Sequence, residues 1–157
     1  MLVIADSSPL IYLARVGVLH VLPALFDEVV APRAVWDEVV ERRPSAPGVD
    51  ALHQARWLRV VDNPSLESDL GLDPGETAAI LLAESLRADL LLIDERLGRE
   101  VAQARGLAVR GTLGVLVQAR REGLLPALKP VLDDMLTEGF RIAPALIHEA
   151  LAYVGEG

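Results

Sequence analysis

The 157-residue chain contains no cysteine. Disulfides and thiolate-ligated metals are excluded, and the composition fits the reducing cytoplasm. Positive charge is scarce: 15 Lys and Arg face 23 Asp and Glu, a net charge of −8, with a pI of about 4.8. A protein that grips nucleic acid through bulk charge is basic, so any such contact here must come from a local patch. Aromatic residues make up 4% of the chain, too few for base stacking to dominate affinity. No apolar run approaches the roughly 18 residues of a membrane helix. The N-terminus carries no basic region ahead of its apolar residues, so no secretory signal is expected. A G-x-x-x-x-G-K-[ST] loop and a G-x-S-x-G elbow are both missing. That excludes a P-loop NTPase and leaves serine-hydrolase chemistry without its signature. His20, His53 and His148 are scattered and read as surface or packing residues, so a zinc site is not expected.

What the chain has in quantity is apolar residues, 52%, with a mean hydropathy of +0.34. That is high for a small monomer in water. Ala and Leu in a helix-rich core are one explanation; the other is a surface covered by a second copy or a partner protein. The length suits one domain over residues 1–157, and no repeat, low-complexity tract or linker interrupts it.

The pattern along the chain alternates strands with helices. Residues 1–5 read as a strand ending at Asp6, after which Ser8 suits an N-cap and Pro9 the N1 position of a helix to about residue 15. A helix interrupted near Pro23 is predicted over 18–26 and a strand over 28–31. Pro32 opens a helix to about residue 42, with Val35, Trp36, Val39 and Val40 in one stripe. A short helix over 49–56 and a strand over 57–61 precede an irregular stretch, 62–72, of the kind that often carries function. Asp73-Pro74-Gly75-Glu76 then starts a very apolar helix to about residue 87. Asp73 suits the N-cap, Pro74 the N1 and Glu76 the N3 position of a capping box. Helices over 113–121, 125–136 with a break near Pro130, and 144–153 complete the chain, with a short extended piece at 139–142.

The organising stretch is 90–112, LLLIDERLGREVAQARGLAVRGT. An apolar run at 90–93 is a buried strand that stops at Asp94. A charged segment at 95–105 has Leu97, Val101 and Ala104 at helical spacing, and Gly106 follows as a C′ residue able to take positive φ. A second short strand, 107–109, leads to Gly111 and Thr112 and the next helix, with Thr112 at the N-cap. Strand–helix–strand–helix is the grammar of a parallel α/β sheet, whose ligand crevice lies beyond the carboxyl ends of its strands. Asp6 and Asp94 both fall there.

Two further carboxylates, Glu38 and Glu76, sit on helices. Asp37 and Glu38 flank the stripe of their helix on opposite sides, so periodicity leaves open which one faces the crevice. Glu38 could instead pair with Arg42, and Glu76 could serve only its cap, although a helix N-terminus would also keep it ionised in a crevice. Several carboxylates with no softer ligand suit Mg²⁺ or Mn²⁺. Such ions activate water and stabilise in-line displacement at phosphorus. Every basic residue except Lys129 is an arginine. Guanidinium forks suit phosphate, and a GC-rich genome would also favour arginine. Arg96 and Arg99, within two turns of Asp94, are the best-placed phosphate contacts.

Four segments in this order resemble a known family. They are IADSSPLIYLARVG at the start, P-x-x-V-x-x-E-V at 32–39, GETAAILLA at 75–83 and LLIDERLGREVAQARGLAVRGTLGVL, with a late GFRI. The chain resembles the PIN-domain nucleases, of the kind found as VapC-type toxins in toxin–antitoxin pairs, and the likeness covers nearly all of it. The resemblance implies a three-layer α/β/α fold with a mainly parallel sheet and a Mg²⁺- or Mn²⁺-dependent endoribonuclease acting on RNA. It also implies an antitoxin partner and frequently a homodimer. The family's acidic quartet carries over to Asp6, Glu38, Glu76 and Asp94 as catalytic metal ligands, with Glu95 as a possible extra one. Ser7 would position a ligand or water, and Thr112 would help hold the site. The third acid, usually aspartate in VapC-type toxins, is glutamate here, and the fourth segment, often Thr-x-Asp there, reads Leu92-Ile93-Asp94.

Overall fold

A computed structural model describes residues 1–65 and 69–157. Five strands form one sheet: β1 (Leu2–Ala5), β2 (Glu28–Pro32), β3 (Leu58–Val61), β4 (Leu90–Leu92) and β5 (Val109–Arg110). Their order is β3-β2-β1-β4-β5, and every neighbouring pair is parallel. The central strands are uninterrupted apolar runs because helices cover both of their faces. Val3, Ile4 and Ala5, like Leu91 and Leu92, are fully buried.

The helices are α1 (Ser7–Arg15), α2 (Val21–Leu25), α3 (Arg33–Trp36), α4 (Val49–Gln54), α5 (Pro74–Ser85), α6 (Arg96–Ala104), α7 (Thr112–Arg121), α8 (Lys129–Thr137) and α9 (Pro144–Tyr153). From β1 the chain steps outward to β2 and β3, then returns past both to place β4 on the other side of β1. Right-handed crossovers running in opposite directions put their helices on opposite faces. Accordingly α5 packs over β1, β2 and β4, while α1 packs against α4 and α7. The result is the expected three-layer α/β/α fold.

The reversal of strand order makes the gap between β1 and β4 a topological switch point, where parallel sheets bind ligands. The two strands end level there. Ala5 pairs with Leu92, and the Asp6 N–H donates to Leu92 O at 2.9 Å. Asp6 and Asp94 therefore leave adjacent strands at the same edge of the sheet.

Several boundaries differ from the sequence expectation. Helix α1 starts at Ser7, so Asp6 and not Ser8 holds the N-cap position. Asp6 is still extended and still bonded to the sheet, so the chain passes from strand to helix with Asp6 alone between them. Pro9 then falls inside the first turn, where its missing N–H costs nothing. Pro32 ends β2 in extended conformation and precedes α3 instead of opening it. Pro130 sits in the first turn of α8, so the expected interrupted helix over 125–136 begins there. Residues 139–142 form no strand. Gly111, not Thr112, is the N-cap of α7.

Asp37–Glu41 continues α3 as a π-helical turn. Gly106 does take positive φ, 83°, after α6. Of the irregular stretch over 62–72, residues 66–68 lie outside the described residues, and the rest contains no helix or strand. Among the described residues no helix is long and apolar enough to cross a membrane.

Candidate functional site

The carboxylates meet around two small residues. At Gly75, in the first turn of α5, an added Cβ would lie 3.5 Å from both Asp73 Oδ1 and Glu38 Oε2, and 3.6 Å from Ser7 Oγ. Side chains from the end of β1, from the π-helical turn and from the start of α5 thus share one space. This resolves the ambiguity between Asp37 and Glu38. The wider π turn shifts the register of the apolar stripe by a fraction of a turn, and π turns recur at functional positions for that reason. Glu38 is the residue brought to Gly75.

At Gly98 on α6, an added Cβ would stand 2.6 Å from Glu76 Oε2 and 2.8 Å from Ile93 Cδ1. Only glycine lets α6 come this close to the Glu76 carboxylate. The capping interaction at the start of α5 is present, with the Glu76 N–H donating to Asp73 Oδ1 at 2.8 Å. The Glu76 side chain does more than cap, because it reaches across to α6.

Asp94 is held differently. The Thr112 N–H donates to its Oδ1 and the Thr112 hydroxyl to its Oδ2, each at 2.7 Å. Thr112 is fully buried, so both of its donors serve to orient Asp94.

Burial sets the electrostatics. Asp6 is 4% exposed, and its carboxyl is pushed from 3.8 up to about 7. Desolvation is the main cause, partly opposed by the Ser7 N–H, with the charges of Asp73, Glu38 and Asp94 adding to it. Glu76 is pushed from 4.5 up to about 8, again by burial first, then by a hydrogen bond with Asp73 and by the charges of Asp73, Asp6 and Glu95. Asp6 Oδ1, Ser7 Oγ and Glu76 Oε2 are all buried with no hydrogen-bond partner among the described residues. Buried polar atoms are normally satisfied, so three orphans in one place mark a site that takes up something polar or charged.

Among the described residues, no three Asp, Glu or His side chains stand close enough to hold one ion as they are. The donor chemistry nevertheless fits a hard divalent cation. Every candidate ligand is an oxygen, and burial together with the charges of neighbouring acids pushes the Asp6 and Glu76 carboxyls up toward neutral pH. The residues that could hold it are Asp6, Glu38, Glu76 and Asp94.

Sequence reasoning read Asp73 as a cap alone and did not single out Gly75 or Gly98. The one available signal was the D-P-G-E spacing, which puts two carboxylates and a glycine in a single helical turn.

The arginines near Asp94 diverge. Arg99 Nη1 lies 3.5 Å, and Asp94 Oδ1 3.0 Å, from the point a Gly111 Cβ would occupy. The Arg96 side chain is 94% exposed and donates to Glu100 Oε1 at 3.1 Å. Both arginines line an open cleft of about 870 Å³ that starts at Asp94 and Glu95.

No curated protein matches the sequence. The profile of the DUF3368 family, described as a PIN domain, matches residues 2–156. With its parallel sheet, acid-lined switch point and a match across almost the whole sequence, the chain belongs to the PIN-domain family, which has a nuclease fold.

Proposed function

We propose that the protein is a metal-dependent endoribonuclease in which Asp6, Glu38, Glu76 and Asp94 hold Mg²⁺ or Mn²⁺. The observation that carries this reading is the group of buried, partnerless oxygens on Asp6, Ser7 and Glu76. A divalent ion, when bound, supplies water activation and charge neutralisation at the scissile phosphate. The protein's own residues do the rest. Asp94 is locked by Thr112 at the mouth of the cleft, so its carboxylate costs no reorganisation when substrate arrives. Burial pushes the Asp6 and Glu76 carboxyls up to about 7 and about 8, so each holds a proton part of the time near neutral pH and would release it to a bound cation. Ser7 Oγ, without a hydrogen-bond partner among the described residues, orients a water or a ligand carboxylate.

The chain is read as a single domain acting in the cytoplasm as the toxin of a toxin–antitoxin pair. Leu97, Leu146 and Tyr153, each at least half exposed, supply apolar surface for an antitoxin or a second copy.

The test is cleavage of RNA and DNA of matched sequence with Mg²⁺, Mn²⁺ or EDTA. RNA cleavage that EDTA abolishes and that Asp6→Asn lacks is the expected result. DNA cleavage under the same conditions would reassign the substrate. That no three carboxylates are gathered closely enough to hold one ion among the described residues favours one other reading, a non-catalytic partner-binding PIN-like domain. No cleavage of either polymer under any condition would select it.

A further inference from the structure

Asp73 caps α5, its Oδ1 accepting the Glu76 N–H at 2.8 Å. The same oxygen also faces the site. It lies 3.5 Å from the point where a Gly75 Cβ would stand, as Glu38 Oε2 does, with Ser7 Oγ 3.6 Å from that point. A cap needs one backbone N–H and none of this company.

Two observations mark the space over Gly75 as a place for a cation. Ser7 is only 7% exposed, yet its hydroxyl has no hydrogen-bond partner among the described residues. A hydroxyl left dry in this way costs free energy until something polar joins it. The acids also lack a counter-charge. Among the described residues, none of Asp6, Glu38, Asp73 and Glu76 is in an ion pair. The charge of Asp73 bears on Asp6 more than the charges of Glu38 and Asp94 do, so Asp73 belongs electrostatically to the site.

The spacing says what form the cation takes. Among the described residues, no three acids stand close enough to hold one bare ion. A hydrated ion spans more space, and Mg²⁺ dehydrates reluctantly and keeps several waters when bound. Those waters donate to carboxylate and hydroxyl oxygens. The Glu76 N–H fixes Asp73 for this task as Thr112 fixes Asp94, and carboxylates around a metal are held by such hydrogen bonds.

We propose that Asp73, together with Glu38 and Ser7, binds the water shell of a hydrated divalent cation over Gly75, which makes Asp73 a fifth acid of the cation site as well as a cap. This role rests on the reading of the carboxylate group as a divalent-cation site.

The experiment separates the cap from the cation. Asp73→Ala, Asp73→Asn, Asp73→Ser and Gly75→Ala are made in the full chain. Tm is measured in EDTA. Binding of Mn²⁺, and of hexaamminecobalt(III) as an inert stand-in for a hydrated ion, is measured by calorimetry. Asn and Ser cap a helix about as well as Asp, and both remove a charge from among like charges. Those two variants should melt at or above wild type. Asp73→Ala should melt roughly 2–4 °C lower. Affinity for both probes should fall about tenfold in all three. The methyl of Gly75→Ala makes ordinary contacts, so this variant should keep its Tm, but it fills the space and should lose affinity as well.

Wild-type affinity in Asp73→Asn and Asp73→Ser would overturn the proposal, because binding would then follow the cap and not the charge. The underlying readings fail differently. A wild type that takes up no Mn²⁺ overturns the cation site as a whole, and this role with it. Mn²⁺ binding that depends on Asp73, in a protein that cleaves no RNA under any metal condition, upholds the role of Asp73 and refutes the nuclease.

Discussion

Replacing Asp6 by asparagine should stabilise the metal-free protein, and by more at high pH than at low. Asp6 is 4% exposed, and its folded pKa of about 7 stands against 3.8 in the unfolded chain. Between those values the native state holds a proton that the unfolded state has released, so stability falls as pH rises through this window and levels off above it. At about 1.36 kcal/mol per pKa unit, the full loss is about 4 kcal/mol, of which about 1.7 kcal/mol is already present at pH 5. Asparagine has the same shape and no such titration. The gap between variant and wild type should therefore widen by about 2.5 kcal/mol from pH 5 to pH 8, or roughly 5–10 °C in Tm for a chain of this length. Thermal melts in EDTA at the two pH values measure it. Adding Mg²⁺ at pH 8 should raise wild type by mass action and the variant far less. Parallel pH profiles for the two proteins would refute the reasoning, because they would mean that Asp6 ionises as freely folded as unfolded. Asp94→Asn is a poorer probe. Both Asp94 oxygens accept from Thr112, and an asparagine there would have to turn its NH₂ to the Thr112 hydroxyl and reverse that hydrogen bond, so the variant changes the bonding as well as the charge.

Gly98→Ala should keep the fold and damage the site: the helix gains about 1 kcal/mol from removing an interior glycine, while the new methyl displaces Glu76 Oε2 from 2.6 Å away. Nuclease activity more than tenfold down with a Tm within a few degrees of wild type is the expected pair of results, and full activity would show that the Glu76 position is not critical. Glu156 accepts from the N–H groups of Leu128 and Lys129 at the start of α8 and from Arg120 Nε, which lowers its pKa, the Leu128 N–H most of all. Its stabilisation is present above the unfolded carboxyl pKa and lost as pH falls through the folded one, so Glu156→Gln should lower Tm at pH 7 and converge on wild type in acid.

The fold was legible because local signals agreed with one another. The apolar runs of β1, β2 and β4 are too short for helices, and each is followed by a turn into a helix. A parallel sheet is the arrangement that buries such strands on both faces. Asp73 capping α5 and Gly106 closing α6 were readable from residue type and spacing alone. The proline boundaries were less so. Pro9, Pro32 and Pro130 all lie within a residue or two of a helix start, but φ near −65° suits the end of a strand, the N-cap or the first turn equally well. Sequence cannot choose among those. The sheet set one limit at Asp6, whose N–H is bound to Leu92 O, so the helix could not start earlier than Ser7.

The site was legible in its acids and illegible in what brings them together. Strand ends announce Asp6 and Asp94, because the chemistry of a parallel sheet is always at that edge. Nothing in a 3.6-residue period announces that Glu38 wins over Asp37, since the period itself fails there: the π turn at Asp37–Glu41 rotates the following residues relative to an α-helical projection. Asp73 was hidden by its own success as a cap, because a residue with one sufficient explanation invites no second. Gly75 and Gly98 carry no functional group at all. They define the site by the absence of a Cβ, one where Glu38, Asp73 and Ser7 converge and one where α6 closes on Glu76. A helical glycine costs stability relative to alanine. At Gly98 a Cβ would come within 3 Å of Glu76 Oε2 and Ile93 Cδ1, so those side chains keep their places only beside glycine, whereas at Gly75 a Cβ would make ordinary contacts with the converging oxygens. Gly111 and Gly114 act alike, a Cβ lying 3.0 Å from Asp94 Oδ1 at the first and 2.8 Å from Arg110 Cγ at the second, so glycine at a packed position is as informative about a site as the charged residues it accommodates.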